Sequence, residues 1–457
     1  MKKRVTTVIM AAGEGVRMKS KLPKMLHSVC GRPIIDYVVD AALDICDDAP
    51  ILVVGHGAEA IKEHLGDKVR YTYQEEQLGT GHAVMMAQKY LEGMDGYVVV
   101  LAGDTPLITG KLLGDMVNHA VEHDYSCVAL SAIVENPTGY GRIIRDVNGD
   151  FSCIVEHKDA TSEQRQVKEI NASMYCFKVQ NLLESLKKLD NNNAQHEYYL
   201  TDVLKILTSE NKRVGIYCAD DASYIMGINT RVQLSQADKL MRLRINNCHM
   251  DNGVTIIDPE NTYIGPNVHI GQDTIIYPGN VIEGDTYIGE ECILYPNSRL
   301  LNARVDDKVI IQNSVVLNSQ IGEETTIGPF AYIRPGSIIG GHVRIGDFVE
   351  VKNAAIGDGT KVSHLTYVGD ANVGNGVNVG CGVVFVNYDG KEKHRTVVED
   401  NAFIGCNTNL VAPVKVEQNS YIAAGSTITK TVPKGALAIA RARQENKEGW
   451  VEGRNNR

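Results

Sequence analysis

Aliphatic residues recur at every sixth position through long stretches of the back half of this chain. A period of six fits neither an amphipathic helix nor an alternating strand, but it suits a parallel β-helix whose short strands each feed one side chain to a stacked core. One coil cannot cover its own apolar layer, so such an array must be long. The unbroken runs are Ile264, Ile270, Ile276, Ile282, Ile288, Leu294 and Leu300; Ile321, Ile327, Ile333, Ile339, Ile345 and Val351; and Ile404, Leu410, Val416, Ile422 and Ile428.

Length, charge and cysteine spacing narrow the class of protein. The chain of 457 residues is roughly three times as long as a typical domain of about 150 residues, so two or more domains are expected. The net charge of -10 argues against a nucleic-acid partner bound through a broad basic surface. No segment approaches the ~20 apolar residues of a membrane helix, so no membrane partner is expected. The ten cysteines show no C-x-x-C pair, which favours free thiols in the cytoplasm.

The front of the chain alternates strand-like and helix-like segments. Strand patterns at 6–12, 51–55 and 97–102 alternate with helical patterns near 33–44 and from residue 82 onward. This rhythm predicts an α/β, Rossmann-like domain with a mostly parallel sheet, whose ligands gather at the carboxyl ends of the strands. Residues 230–247 predict a connecting helix with Leu234, Leu240 and Leu243 on its apolar side. We therefore expect domains at 1–229 and 251–457, joined by 230–250, with the tail in the second domain.

The loop after the first strand has the composition of a phosphate-binding loop. Gly13 and Gly15 let backbone amides approach a phosphate closely, and Arg17 and Lys24 supply positive charge. The third glycine of a dinucleotide fingerprint is missing. Taken alone, Gly-x-Gly fits a ligand-free turn equally well. Asp104, just past a strand, suits a Mg²⁺ ligand, the alternative being a cap on the following helix.

These front segments resemble the sugar-1-phosphate nucleotidyltransferase family, whose motif G-x-G-x-R-M followed by P-K is matched here except for Val16, where many relatives carry Thr. Residues 74–83 resemble the base-reading segment of the uridylyl branch, which implies UTP as substrate. The resemblance implies that the nucleotide is bound by Met10, Ala11, Ala12, Gly13, Lys24, Gln74, Gly79 and Thr80, and the sugar phosphate by Gly141, Glu156 and Asn171. It implies that Asp104 and Asn229 are Mg²⁺ ligands and that Asn229 also belongs to the UDP-sugar site. Arg17 and Lys24 would have catalytic roles, since they neutralise the departing pyrophosphate.

The back half carries a second polar set where the hexads break, between Lys352 and Gly390. It includes His364, which on its own is more often a surface imidazole at a coil corner. It is accompanied by polar residues at coil-spaced positions, which predict one groove suited to a sugar phosphate. They are Arg334, Lys352, Tyr367, Asn378, Asn387 and Tyr388.

Over nearly the whole chain, the order of the halves, the connecting helix and the tail at 436–441 resemble the bifunctional N-acetylglucosamine-1-phosphate uridyltransferase and glucosamine-1-phosphate acetyltransferase family. The resemblance implies left-handed coils, a homotrimer, and His364 as the general base for attack of the glucosamine amine on acetyl-CoA, with Asn387 polarising the thioester. It implies sugar-phosphate binding by Arg334, Lys352, Tyr367, Asn378, Asn387, Tyr388 and Lys393, and acetyl-CoA binding by Cys406, Ala424 and Arg441. Many relatives carry serine at Cys406, so that hydrogen bond is expected to be weaker here.

The leading hypothesis is an enzyme that acetylates glucosamine-1-phosphate in its back half. It would then join N-acetylglucosamine-1-phosphate to UTP in its front half. The runner-up is a nucleotidyltransferase with a purely structural β-helix, which would have no reason to assemble the polar set around His364. A nucleotide-binding scaffold without catalysis is disfavoured by Asp104 and Asn229 beside the phosphate loop.

Overall fold

The structure, a computed structural model, describes residues 3–193 and 195–454. The chain divides into two compact units, Met1–Met241 and Arg242–Arg457. This division falls inside the predicted connecting segment 230–250. The finer domain boundaries at 229 and 251 stay a prediction.

The front unit is built on a mixed sheet with two small ribbon strands beside it. Its central order is β11-β7-β10-β6-β1-β4-β5, and β8 pairs with β10 and with β9. Pairs β1/β4, β1/β6, β4/β5 and β7/β11 are parallel, whereas β10 runs antiparallel to its neighbours. The strands are β1 Val5–Ala11, β2 Ser28–Val29, β3 Arg32–Pro33, β4 Ile51–Val54, β5 Arg70–Tyr73, β6 Tyr97–Ala102, β7 Cys127–Ile133, β8 Arg142–Arg145, β9 Phe151–Val155, β10 Glu169–Lys178 and β11 Val214–Cys218.

Helices cover this sheet on both faces, as the alternating pattern predicts. Along β1 the side chains alternate between the two cores: Ile9 packs in one and Val8 in the other, and both are fully buried. The helices are α1 Ile34–Leu43, α2 Ala58–Leu65, α3 Thr80–Met86, α4 Gln88–Leu91, α5 Gly110–Glu122, α6 Val179–Leu186, α7 Thr201–Ser209, α8 Arg231–Asp251 and, in the tail, α9 Trp450–Arg454.

The predicted connecting helix forms as α8, with one detail wrong. Leu240, expected on the apolar side, is 38% exposed, whereas Ala237 and Met241 are buried. Ala237 and Met241 lie four residues apart, so they share one face of the helix. Leu240 is the position next to Met241 and projects toward a different face.

The back unit is a stack of coils whose short strands form three parallel sheets. The first sheet contains Thr255–Ile256, Ile275–Ile276, Ile293–Leu294, Ile310–Ile311, Thr326–Ile327, Arg344–Asp347, Lys361–His364, Asn378–Val379, Phe403–Ile404, Tyr421–Ile422 and Leu437–Ala438. The second contains Tyr263–Ile264, Val281–Glu283, Arg299–Leu301, Val315–Leu317, Tyr332–Ile333, Glu350–Lys352, Tyr367–Gly369, Val384–Val386, Asn409–Val411 and Thr427–Ile428. The third contains His269–Ile270, Tyr287–Ile288, Arg304–Val305, Gln320–Ile321, Ile338–Ile339, Ala355–Ile356, Ala371–Val373, Thr396–Val398 and Val414–Val416.

The hexad aliphatics point into the stack and form its core. All of the predicted positions are buried there except Ile270, which is half-buried against the same core. Between the predicted runs the core continues through Val305, Ile311 and Val316, at spacings of five and six residues. Between Phe385 and Val398, both buried, the chain leaves the coil as an extruded loop and returns. The repeat therefore continues through the region where the hexad pattern is interrupted.

Buried hydroxyls fasten several corners of the stack to the next coil. Thr325, fully buried, donates to the carbonyl of Gly340 (2.8 Å) and accepts from the amide of Val343 (3.0 Å). Thr274 and Thr360 make the same pair of bonds with their own next coils. Such bonds satisfy backbone groups that the coil turn removes from the strand ladders.

Replacing Thr325 by Val should destabilise the β-helix by about 1–3 kcal/mol, because the Gly340 carbonyl and the Val343 amide are left buried without that partner. The matched control is Thr326→Val at the adjacent, exposed position that begins the following strand, which should change stability by less than about 0.5 kcal/mol. Urea unfolding followed by circular dichroism measures both. Equal midpoints for the two variants would contradict the role given to the buried hydroxyl.

Candidate active sites

The loop between β1 and α1 is shaped by the contact between Gly15 and Lys24. Gly15 is left-handed, with φ of 65°, and a Cβ there would lie 2.7 Å from Cβ of Lys24. Only glycine accepts both the backbone conformation and the close approach. The Lys24 stem therefore crosses directly over the loop, and its ammonium group reaches the edge of the sheet.

Lys24 meets two oxygen-bearing side chains at that edge. Its Nζ donates to Oδ2 of Asp104 (2.5 Å) and to Oδ1 of Asn229 (2.9 Å). Arg17 donates to the same Asn229 oxygen (2.8 Å). Asp104 follows β6, the parallel neighbour of β1, and its carbonyl accepts from the amide of Ile228 (2.9 Å), which holds the segment carrying Asn229. Four predicted front residues thus converge at the carboxyl ends of the strands.

The donor set at this edge suits a hard divalent cation. A carboxylate and an amide oxygen converge on the ammonium group of Lys24, so the position already attracts positive charge. Magnesium is held by one or two such oxygens together with substrate phosphates and water, not by a full protein cage. Accordingly, within residues 3–193 and 195–454, no group of three or more His, Cys, Asp or Glu side chains is arranged to hold a metal.

The predicted base-reading segment lies next to the phosphate loop. Gln74 is buried, and its Nε2 lies 3.0 Å from the carbonyl of Gly79 and 3.2 Å from Nδ1 of His82. Gln77, which sequence reasoning did not select, donates to the carbonyl of Ala12 (2.9 Å) and so ties the segment to the loop. The hydroxyl of Thr80 accepts from the amide of Leu200 (3.1 Å).

The three predicted sugar residues also lie together. The amide of Asn171 donates to the carbonyl of Gly141 (2.9 Å), and a Cβ on Gly141 would lie 3.3 Å from Oε1 of Glu156. Burial, followed by the charges of Asp159 and Asp202, raises the pKa of Glu156.

Glu156 borders a cavity of about 550 Å³ that Tyr199, Asp202 and Lys205 also line. These three residues had no signal in the sequence motifs. Their position on and just before α7 becomes informative only once the chain is folded.

In the back unit, His364 is paired with an acid on the preceding coil. The two residues end adjacent strands of the first sheet, in register, and Nδ1 of His364 lies 2.6 Å from Oδ1 of Asp347. The hydrogen bond from His364 lowers the pKa of Asp347. Asp347 therefore fixes the imidazole with Nδ1 as donor, which leaves Nε2 available as a base. Sequence reasoning missed Asp347, whose only signal is its position one coil before His364.

A second polar cluster lies along the second sheet and is organised by Asp370, which was also missed. Asn387 donates to Asp370 (2.5 Å) and to the hydroxyl of Tyr367 (3.3 Å), and Lys352 lies 3.9 Å from Asp370. Burial opposes ionisation of Asp370, but hydrogen bonds from Asn353 and Asn387 and the charge of Lys352 outweigh it and lower its pKa. Asp370 thus holds the predicted residues of this sheet in place.

Two further cations complete this cluster. Arg334 pairs with Glu350 at 2.7 Å. Lys393, on the extruded loop, has its pKa lowered by the contact with and the charge of Lys352. Two ammonium groups crowded in this way favour an anion between or beside them. The loop itself is fastened by Asp389, whose pKa is lowered by the backbone amide of Glu392 and then by the side chain of His394.

The remaining predicted residues occupy other places. Tyr388 is exposed on the extruded loop and pairs with Lys393 as an isolated bridge. Asn378 lies on the first sheet, between Lys361 and Phe403. Tyr367 lies on the second sheet, so a single groove containing both Asn378 and Tyr367 stays a prediction.

The three residues expected to contact acetyl-CoA lie along one corner of the stack. His364 is the last residue of its first-sheet strand, and Cys406 lies in register with it two coils further along. Gly405 lies so close to the following coil that a Cβ would be 2.5 Å from the amide of Ala424. Arg441 lies beside Gly425, within 3.9 Å of a Cβ placed there. We call the residues His364, Cys381, Cys406 and Ala424 the corner column.

Comparison with known proteins divides the chain as its sequence does. Residues 7–192 match the MobA-like NTP transferase domain. Residues 267–302, 318–353 and 395–430 match the bacterial transferase hexapeptide family of six repeats. The α/β front domain and the left-handed parallel β-helix of hexapeptide repeats are thereby confirmed.

Full-length relatives carry both parts together. The chain is 57% identical to the bifunctional protein GlmU of Acetivibrio thermocellus, over 97% of this chain and 96% of that protein. It is 56% identical to the GlmU protein of Clostridium novyi and 53% identical to that of Clostridioides difficile, in each case over 98% of both chains. The chain belongs to the bifunctional GlmU family.

Membership in the GlmU family decides between the hypotheses raised by the sequence. The chain is a bifunctional enzyme with uridyltransferase and acetyltransferase activities, as predicted. The runner-up with a purely structural β-helix and the non-catalytic scaffold are both set aside. Within the described part of the chain, no helix is both long enough and apolar enough to cross a membrane.

Proposed function

We propose that the back site acetylates glucosamine-1-phosphate and that the front site then couples the product to UTP, which yields UDP-N-acetylglucosamine and pyrophosphate. The observation that carries this proposal is the presence of two separate polar constellations on one chain. One is Lys24, Asp104 and Asn229, and the other is the Asp347–His364 pair with its neighbouring cations. Each constellation suits one of the two transfer reactions.

In the front site the sugar phosphate attacks the α-phosphorus of UTP, and pyrophosphate departs. Arg17 and Lys24 neutralise the charge that develops on the leaving group, so no side-chain nucleophile is required. Asp104 and Asn229 supply the oxygens for Mg²⁺, which when bound offsets phosphate charge. Met10, Ala11, Ala12 and Gly13, with Gln74, Gly79 and Thr80, hold the nucleotide, and Gly141, Glu156 and Asn171 hold the sugar.

In the back site the amine of glucosamine-1-phosphate attacks the thioester of acetyl-CoA. Nε2 of His364 takes the amine proton, while Asp347 keeps the other nitrogen protonated and the ring oriented. The amide nitrogen of Asn387 already donates to Asp370 at 2.5 Å. Its second hydrogen bond, to the hydroxyl of Tyr367, is longer at 3.3 Å, and the thioester carbonyl would replace that hydroxyl as the acceptor.

Charge in the second-sheet cluster supports binding of the sugar phosphate. The acids Asp370 and Glu350 have three cationic side chains near them, which are Arg334, Lys352 and Lys393. A phosphate monoester supplies the anion that the crowded ammonium groups favour. The proposed sugar-phosphate residues are Arg334, Lys352, Tyr367, Asn378, Asn387, Tyr388 and Lys393, and those for acetyl-CoA are Cys406, Ala424 and Arg441.

We further propose a homotrimer in the cytoplasm. Phe330, Phe348 and Leu365 form an apolar ridge on successive corners, each more than half exposed, with the two phenyl rings stacked at 5.4 Å. Exposed apolar ridges of this kind mark contacts between chains. All ten cysteines lie in the described residues and carry free thiols, which suits a reducing compartment.

The assignment of one reaction to each site is tested with two variants and mass spectrometry of the products. The wild-type protein with glucosamine-1-phosphate, acetyl-CoA, UTP and Mg²⁺ should form UDP-N-acetylglucosamine. His364→Ala should lose acetyl transfer by about 10²–10⁴-fold and keep uridylyl transfer. Asp104→Ala should lose uridylyl transfer by about 10²–10³-fold and keep acetyl transfer. Undiminished activity in the half assigned to either residue would refute that assignment.

Asp347→Asn should lower kcat of acetyl transfer by about tenfold or more, because a general base contributes about 10²–10⁴-fold and an amide no longer fixes its tautomer. The KM for acetyl-CoA and the uridylyl transfer rate should stay unchanged. Asp306→Asn, at another corner of the stack, is the matched control. Steady-state kinetics separates kcat from KM, and a variant with normal kcat would show that Asp347 does not position the imidazole.

The raised pKa of Glu156 predicts that uridylyl transfer loses activity at low pH, which we call the acid limb of its pH profile. Because the carboxylate must be ionised to accept hydrogen bonds from the sugar, KM for N-acetylglucosamine-1-phosphate should rise as the pH falls through a value above the ordinary glutamate pKa of about 4.3. Glu156→Gln should raise KM about tenfold at neutral pH and abolish this limb. Glu163→Gln, exposed in the same segment, should keep it. A limb that persisted in Glu156→Gln would belong to another group.

The apolar ridge is tested by Phe348→Lys, since a charge placed in a buried contact between chains is costly. We expect the trimer to dissociate in multi-angle light scattering, with loss of acetyl transfer and retention of uridylyl transfer. Val147→Lys, on a fully exposed turn of the front unit, should leave the trimer intact. A dissociated variant with full acetyl transfer would show that the acetyl site does not need a partner chain.

A further inference from the structure

Two exposed cysteines occupy the same position on neighbouring coils. Strand pairing sets Asn378 opposite Phe403 and Val379 opposite Ile404, so that two residues further along Cys381 lies opposite Cys406. The amide of Asn407 donates to the carbonyl of Cys381 at 2.7 Å, which confirms that the register continues through the corner. Both thiols are free and solvent-exposed.

The two corners also share one backbone conformation. The residue after each cysteine is left-handed: Gly382 has φ of 72° and Asn407 has φ of 54°. The two Cα–Cβ bonds therefore point in the same direction, about 4.8 Å apart, as on any pair of adjacent strands. This spacing lies within the range of about 4.4–6.8 Å between the Cα atoms of a disulfide. The Cβ atoms start at a similar separation and would have to approach by about 1 Å to reach the mean of about 3.8 Å found in disulfides, so the bond would be strained and easily reduced.

The exposed pair differs from the buried cysteines. Burial raises the pKa of Cys127, Cys176 and Cys292, all of which are fully buried, so those thiols are protected from reagents in solution. Cys381 and Cys406 are exposed to reagents in solution. They also stand in the middle of the corner column, with His364 one coil before Cys381 and Ala424 one coil after Cys406.

We propose that Cys381 and Cys406 are a dithiol modification site, which a low-molecular-weight disulfide converts into an intrachain disulfide that stops acetyl transfer. The effect on acetyl transfer rests on the proposed contacts of Cys406 and Ala424 with acetyl-CoA, because the bond would cross the path of the acetyl-CoA thioester. Formation of the bond itself does not rest on those contacts. It follows from register, exposure and matching turns.

The chemistry is two successive thiol–disulfide exchanges. The thiolate of Cys406 attacks one sulfur of the reagent R–S–S–R, forming a mixed disulfide and releasing one R–S⁻. The thiolate of Cys381 then attacks the Cys406 sulfur, forming the protein disulfide and releasing the second R–S⁻. The two cysteines lose two electrons and two protons, which the two departing thiols take up.

The test uses the full-length protein and oxidised glutathione as the probe. After incubation, peptide mapping without reduction should find one cross-linked species that joins Cys381 to Cys406 within a single chain. Acetyl transfer, measured first on the reduced enzyme, should fall at least about tenfold, since obstruction of ~1 Å at a reacting centre costs up to 10²-fold. Dithiothreitol should restore it, and uridylyl transfer should not change.

Two variants separate this site from the other thiols. Cys381→Ser should give no cross-linked species, because the resolving thiol is absent and the reaction stops at a glutathione mixed disulfide on Cys406. Cys248→Ser, which removes an exposed thiol on α8, should remain as sensitive as the parent. Sensitivity that disappeared in Cys248→Ser would assign the effect to that thiol and overturn the proposal.

The outcomes distinguish this proposal from the proposed function. If no Cys381–Cys406 cross-link forms, or if the link joins two chains on a non-reducing gel, the dithiol site is wrong. If the link forms completely and acetyl transfer persists, the blocking role is wrong. If the reduced enzyme shows no acetyl transfer at all, the proposed function fails, and the mapping still decides whether the dithiol forms.

Discussion

The back unit depends on the backbone hydrogen bonds between consecutive coils. They set most residues opposite one that is 16 to 18 positions further along the chain, as in the pairs Asp347–His364 and Thr274–Cys292. Side chains far apart in the sequence thereby become neighbours at a spacing of about 4.8 Å. The Asp347–His364 pair and the corner column both arise from this ladder. The same ladder buries the aliphatic core, so the geometry of the site and the stability of the fold have one source.

The front unit reaches a comparable result through a different constraint. Parallel strands β1 and β6 end at the same edge of the sheet, which brings the phosphate loop and Asp104 together. Asn229, more than a hundred residues later, is held there by the bond between Ile228 and the Asp104 carbonyl. The close contact of Gly15 with Lys24 then places one cation between two oxygen ligands. Charge is thus concentrated locally in a protein that is acidic overall.

Much of this arrangement was predictable from the sequence, because the period of six fixes which face of each strand is buried and the family motifs mark the loops. The residues that escaped prediction are those whose meaning depends on register. Asp347 and Asp370 follow glycines near coil corners, where an acid is an ordinary turn residue. Some coils contain 17 residues instead of the 18 that three hexads give, so the residue that pairs with Asp347 or Asp370 on the next coil cannot be found from the six-residue period alone. Leu240 was misplaced because single-helix periodicity does not show which of two adjacent positions faces a neighbour.

The extruded loop after Asn387 shows how this architecture accommodates insertions. Ala371 pairs with Thr396 and Val373 with Val398, 25 positions apart, yet the ladder on either side is undisturbed. Loop closure grows only slowly in cost with length, and a corner insertion leaves every core position in place. A stack of this type can therefore gain or exchange surface loops one coil at a time, so binding specificity can diverge among descendants while the scaffold stays the same.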